Sequence, residues 1–406
     1  MKKTLFFIAG FFALTSCKNE GSRIFEISGS EKFNHHDYKG AVDDYSKAIK
    51  IESNDTVAYY GRGKAHLELH DYKAAITDFT KVIDLDVRYA PAYEKRGDAR
   101  LGLGNDSMAL IDYDMAVTMN PRDADAYVKM GDILAKQNND TGALVRFNKA
   151  LAIDPKNSAA YYSRGLNNAD LDDFKAAKAD FTKAIEMNPK NAAAYTHRGM
   201  ANYALKNYPA AAADYSKAIE INPDDEKAYS ERGLIKNMRL HDHKGALADF
   251  TKAISLDKND AWALFYSGTA KSTLGDTKGA LNDYSKAIQV DPKHAEFYYN
   301  RGIVKSKMGS VDGAIEDFDR ATRVNPRLIA AYHESARLKV QQEDYKGAIE
   351  SYTGIIAIRP KDAGAYYNRA IQKYLLGQRA EVCSDLQMAK DLGSTEAFRK
   401  IREWCR

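Results

Sequence analysis

"AAAYTHRGMANYALKNYPAAAADYSKAIEINPDD", residues Ala192 to Asp225, is 34 residues long, and the pattern it carries begins again where it stops. A small residue recurs at Gly29, Gly63, Gly97, Gly131, Gly165, Gly199, Gly233, Gly268, Gly302, Ala336 and Ala370, with nine intervals of 34 residues and one of 35. Four residues before it stands an aromatic, as in Tyr59, Tyr93, Tyr127 and Tyr161, with Leu264 the exception. A second small residue (Ala41, Ala75, Ala109, Ala143, Ala177, Ala211) follows in helical register, and then a second aromatic (Tyr45, Phe79, Tyr113, Phe147, Phe181, Tyr215). Seven of the nine prolines, Pro121, Pro155, Pro189, Pro223, Pro292, Pro326 and Pro360, close the unit, where a missing N–H and a ring clash stop a helix. Each unit reads as two helices whose Gly/Ala faces let the backbones approach.

The stretch resembles a tetratricopeptide repeat with tyrosine in place of the usual first tryptophan. The resemblance covers eleven units over residues 22–395 and implies an all-α, right-handed superhelix (an α-solenoid), with residues 396–406 as a C-terminal capping helix. Such repeats touch only their neighbours and stack into a quasi-one-dimensional body with a concave face. The single 35-residue interval falls in "RLHDHKG" (Arg239–Gly245) and adds its residue to a turn.

Arginine precedes the small residue in seven units (Arg62, Arg96, Arg164, Arg198, Arg232, Arg301, Arg369), and all seven carry aspartate before the second-helix aromatic or its Leu386 equivalent. Charge-assisted contacts between helices are expected from this pairing. Two independently favoured surface residues are the other reading.

The start of the chain has a different grammar. Lys2 and Lys3 precede the apolar run Leu5–Leu14, a secretory layout whose core is about half the roughly 20 residues of a permanent membrane span. "LTSC" (Leu14–Cys17) resembles the bacterial lipobox, which makes residues 1–16 a signal peptide, Cys17 the lipidated residue and 17–21 a tether. An incidental cysteine beside an ordinary cleavage site is the alternative. Lys18, where aspartate would resemble an inner-membrane retention signal, points to the outer membrane, and "KNE" resembles the charged tract that exports some lipoproteins to the cell surface. Two cysteines remain, Cys383 and Cys405, an even pair in an exported protein. A chain reversal at Gly393 brings them together as a disulfide, or leaves them as two buried thiols.

Charge excludes one class of partner. The formal net charge of +4 falls to +2 without Lys2 and Lys3, both signs are spread along the chain, and no basic patch for nucleic acid is present. Enzyme signals are poor. "HLELH" (His66–His70) places one histidine on a core position, the clusters "HDH" (His241–His243) and "NHHD" (Asn34–Asp37) lie in turns, and "GRGK" (Gly61–Lys64) sits inside a helix. No cofactor, metal or catalytic residue is expected.

The resemblance implies that first helices line a groove. The groove positions hold Tyr60, Glu94, Tyr162, Met200, Tyr203, Trp262, Phe265, Tyr299, His333, Tyr367 and Tyr374, an aromatic lining of the kind interfaces use. Packing against adjacent helices is the other reading of these rings. The Lys and Asn constellation by which chaperone-binding members of this family hold a C-terminal carboxylate is missing. The expectation is a non-catalytic, membrane-anchored scaffold for an envelope protein or peptide segment; the alternative is a surface lipoprotein whose groove aromatics bind glycan.

Overall fold

The computed structural model describes residues 20–405. The signal segment 1–16 and Cys17 lie outside the described residues. Two compact units divide the chain, Met1–Leu205 and Lys206–Arg406, and each is built of helical hairpins.

The first unit holds α1 (20–34), α2 (Tyr38–Ile51), α3 (Thr56–Glu68), α4 (Tyr72–Leu85), α5 (Ala90–Gly102), α6 (Asp106–Met119), α7 (Ala124–Lys136), α8 (Asp140–Ile153), α9 (Ser158–Asp170), α10 (Phe174–Met187) and α11 (Ala192–Ala204). The second holds α12 (Tyr208–Ile221), α13 (Glu226–Met238), α14 (His243–Leu256), α15 (Ala261–Thr273), α16 (Thr277–Val290), α17 (Ala295–Lys307), α18 (Val311–Val324), α19 (Ile329–Gln341), α20 (Tyr345–Ile358), α21 (Ala363–Leu375), α22 (Arg379–Asp391) and α23 (Thr395–Trp404). Within each unit the odd and even helices of a repeat pair as α3 with α4 or α13 with α14, and each even helix also packs on the next odd one. Helix α1 already includes Glu20 and Gly21, which the sequence reading assigns to the tether.

Local chemistry fixes these boundaries. Asp or Asn caps most helices, as where the Asp37 carboxylate accepts from the Gly40 amide at 2.9 Å and Asp55 from the Ala58 amide at 2.9 Å; each such cap contributes about 1 kcal/mol. The turn inside a hairpin is three residues with a left-handed middle one, closed by a six-to-one hydrogen bond such as Asp71 N–H to His66 C=O at 2.8 Å. His36, His70 and His241 occupy that left-handed position, with φ of 62, 57 and 55°. His35, His36, His70 and His241 are therefore turn residues, while His66 lies inside α3 and His243 opens α14. In the odd interval the turn runs from Arg239 to Asp242, one residue longer than elsewhere, and both flanking helices keep their length.

The core is a ladder of small residues facing rings. Ala109, Ala126, Ala143 and Ala150 are fully buried beside Tyr113 and Phe147. The ladder ends at the C-terminus with α22 and α23, which meet through Gly393 (φ 100°) and the Ser394 cap. Cys383 and Cys405 form a disulfide with Cα atoms 5.7 Å apart, and Trp404 stacks on Tyr374 with centroids 3.9 Å apart. A Cys383→Ala/Cys405→Ala variant should lose about 3 kcal/mol by the loop-entropy model. Amide exchange is the measurement: the loss should appear as faster exchange in α23 and α22, with the hairpins further back unchanged.

Candidate functional site

Much of the charge on the helices is spent on the scaffold. Arg62–Asp78, Arg96–Asp112, Arg164–Asp180, Arg232–Asp249, Arg301–Asp317 and Arg369–Asp385 are ion pairs of 2.6 to 2.8 Å. Each arginine also donates Nη1 backward to the second helix of the preceding hairpin, as Arg62 to Ser46 at 3.1 Å, Arg164 to Asn148 at 2.6 Å and Arg369 to Thr353 at 3.1 Å. Its guanidinium lies over the tyrosine three residues earlier, for instance 5.4 Å from the Tyr59 centroid. One side chain thus ties two helices of a hairpin to the hairpin before. Where arginine is missing but aspartate persists, serine and lysine take over: Ser28 and Lys32 reach Asp44 at 2.7 and 2.5 Å, and Ser267 and Lys271 reach Asp283 at 2.7 and 2.6 Å. Asp44, although burial opposes its charge, is held well below the usual carboxylate range by hydrogen bonds from Lys32, Lys47 and Ser28.

The predicted groove residues of the first unit sit on odd helices in varied surroundings. Tyr60 is half-buried against Phe79 and Tyr89, at centroid distances of 5.7 and 5.3 Å, and burial pushes its phenol up to about 12. Glu94 is already neutralised: Lys129 Nζ lies 2.7 Å from it and 2.8 Å from Asp98, and Lys95 adds contacts of 3.0 and 3.1 Å to the same two carboxylates. Tyr162 packs on Phe181 and His197, its hydroxyl 3.2 Å from His197 Nδ1. Met200 is exposed and Tyr203 half-buried.

In the second unit Tyr299 leans on Phe318 at 5.7 Å, Tyr367 is half-buried, and His333 is exposed. Two expectations need correction. Phe265 is only 8% exposed, because Phe297 stacks on it at 4.9 Å and Tyr284 and Trp262 close its other sides; it is core rather than lining. Tyr374 has one face covered by Trp404 and belongs to the C-terminal cap.

Sequence reasoning placed Trp262 in the groove but missed the carboxyl groups that meet beside it in the cleft between α13 and α15. Ser230 Oγ donates to Glu226 Oε1 at 3.0 Å and lies 3.3 Å from Asp260 Oδ2. Burial, followed by the hydrogen-bonded carboxyl of Asp260, pushes Glu226 up to about 7. Trp262 and Tyr266 stand beside the trio, stacked at 5.7 Å. The sequence signals are Trp262 at a groove position and Asp260 at a helix cap; the meeting with Glu226 requires two neighbouring hairpins. Among the described residues no group of His, Cys, Asp and Glu is placed to hold a metal ion, and no helix is long and apolar enough to cross a membrane.

Helical hairpins of constant length, stapled in series and presenting first-helix side chains, define a helical-repeat interaction scaffold. Models described as tetratricopeptide repeat match residues 162–226 and, separately, 57–86 and 295–328, and one described as TPR repeat matches 131–172 and 273–309. The chain belongs to the tetratricopeptide-repeat family. No curated protein matches it. Among solved structures, the C-terminal part of a TPR repeat-containing protein from Cytophaga hutchinsonii is 20% identical over 59% of this chain and 98% of its own, with a TM-score of 0.50. A tetratricopeptide repeat protein from Parabacteroides merdae is 20% identical over 62% of this chain and 98% of its own, with a TM-score of 0.43. YrrB, described as a TPR protein with an unusual peptide-binding site, is 25% identical over 47% of this chain and 97% of its own, with a TM-score of 0.43.

Proposed function

We propose that this chain is a lipid-anchored, non-catalytic scaffold of a bacterial cell envelope that holds a peptide segment of a partner protein against its first helices. The observation that carries the reading is the set of half-exposed rings on rigid helices: Tyr60, Tyr162 and Tyr299 are each braced by a buried phenylalanine, Phe79, Phe181 or Phe318. Rings fixed in advance lose little entropy on binding and serve as anchors. The same bracing covers part of each ring, which favours contacts with peptide side chains over sugar stacking.

Anchorage rests on Leu14–Cys17. One acyl chain binds a bilayer only reversibly, whereas the two or more of a lipidated N-terminal cysteine hold firmly. In cells fed labelled palmitate, the wild-type chain should carry label and sediment with outer membranes, and Cys17→Ala should lose the label and pass almost wholly to the soluble fraction. Crosslinking in intact cells followed by mass spectrometry should recover a defined envelope partner from the wild type and little of it from the variant. An unlabelled wild type, or a variant that still sediments with membranes, would remove the anchor from this reading.

A further inference from the structure

The cleft between α13 and α15 encloses about 330 Å³. One wall is aromatic: Trp262 keeps 39% of its surface in solvent and stacks on Tyr266. The same lining carries Glu226, Lys227 and Glu231 on α13 and Asp260 at the cap of α15. Burial pushes the Glu231 carboxyl up, and its one opposing charge is the exposed Lys227, with which it forms no ion pair among the described residues. The cleft therefore sets three carboxyl groups and a single lysine beside an aromatic face. An apolar stem ending in a cation complements both features.

The first unit supplies a contrast. Ser22 donates to Asp55 at 2.8 Å and to Glu26 at 3.3 Å, a hydroxyl–carboxylate trio at the same place between α1 and α3. There Ile27, Val57 and Gly61 occupy the repeat positions that Glu231, Trp262 and Tyr266 occupy in the second unit. The trio alone is a joint between hairpins. The third carboxylate and the aromatic wall belong to the α13–α15 cleft.

We propose that this cleft takes a lysine or arginine side chain of the partner peptide, with its stem on Trp262 and Tyr266 and its charged head against Glu231, Glu226 and Asp260. The inference rests on the peptide-scaffold reading and names the chemistry of its ligand.

The test uses the purified full chain and two probes. A random heptapeptide library should yield binders that carry lysine or arginine, and these should weaken about tenfold with Trp262→Ala and several-fold with Glu231→Gln. Glu231→Gln keeps shape and hydrogen bonding, so it remains informative if Trp262→Ala fails to fold. N-acetyl-lysine methylamide and N-acetyl-arginine methylamide should shift the Trp262 indole N–H resonance, assigned through Trp262→Phe, while N-acetyl-norleucine methylamide should not. Binders without basic residues that ignore both substitutions would overturn the cleft proposal and leave the scaffold standing. Equal shifts from the norleucine amide would likewise overturn it. No binder and no shift would overturn the cleft and the peptide reading together.

Discussion

Asp112→Ala should lower the unfolding free energy of the first unit by about 3–5 kcal/mol, the cost of leaving a buried charge without its partner. The carboxylate is 1% exposed and receives Arg96 Nη2 at 2.8 Å and Arg100 Nη1 at 2.7 Å. Arg96 also donates to Thr80 at 3.2 Å, so its loss of register loosens α5 from α6 and from the hairpin before. Replacing all three members of the cluster, as in Arg96→Met/Arg100→Met/Asp112→Leu, should cost less than Asp112→Ala alone, because no unpaired charge remains. The exposed pair Lys183–Glu186, 52% and 47% exposed, is the control, and Lys183→Ala should stay within about 0.5 kcal/mol of the wild type. Urea unfolding checks the series. A loss below about 1 kcal/mol for Asp112→Ala would show that the repeated staple is decoration.

That staple was legible in the sequence because every arginine before the small residue has its aspartate in the same repeat, although Asp44 and Asp283 persist without one. The hairpins were legible for the same reason: a period repeated eleven times averages away local ambiguity. Exceptions to the period were not. Alanine stands five residues before the small residue in Ala58, Ala92, Ala126, Ala160, Ala194, Ala228, Ala263, Ala331 and Ala365, but Phe297 takes that place in one repeat. Leu264, smaller than the tyrosine usual at its position, shares a core cluster with Phe297 and makes room for it. Phe265 is buried as a consequence, although its counterparts Tyr60, Tyr162 and Tyr299 remain half-exposed. Two departures from the pattern, 33 residues apart, compensate each other in volume, and neither announces the other when read along the chain. The α13–α15 cleft was hidden for the same reason, since Glu226 and Asp260 come from adjacent repeats.

Phe147→Ala should cost about 3–5 kcal/mol, since the ring is fully buried and its removal leaves a cavity that stiff helices cannot close. The more informative test pairs this site with the small residue opposite. A Cβ on Gly131 would meet Phe147 Cε1 at 2.5 Å and Cδ1 at 2.8 Å, closer than real contacts allow. Gly131→Ala should therefore cost about 1–3 kcal/mol by overpacking α7 against α8. The chain already contains a solution in its last hairpin, where Ala370 stands at the small position and Leu386 replaces the aromatic, both fully buried. Phe147→Leu removes the ring edge that the new methyl strikes, so the Gly131→Ala/Phe147→Leu double variant should be less destabilised than the sum of the two singles, by at least about 0.5 kcal/mol. Urea midpoints of the four proteins decide the matter. Additivity would mean that backbone flexibility, rather than contact with the ring, holds glycine at this position. Coupling would mean that this hairpin is sized by one pair of residues, with the ring of Phe147 setting how small residue 131 must be.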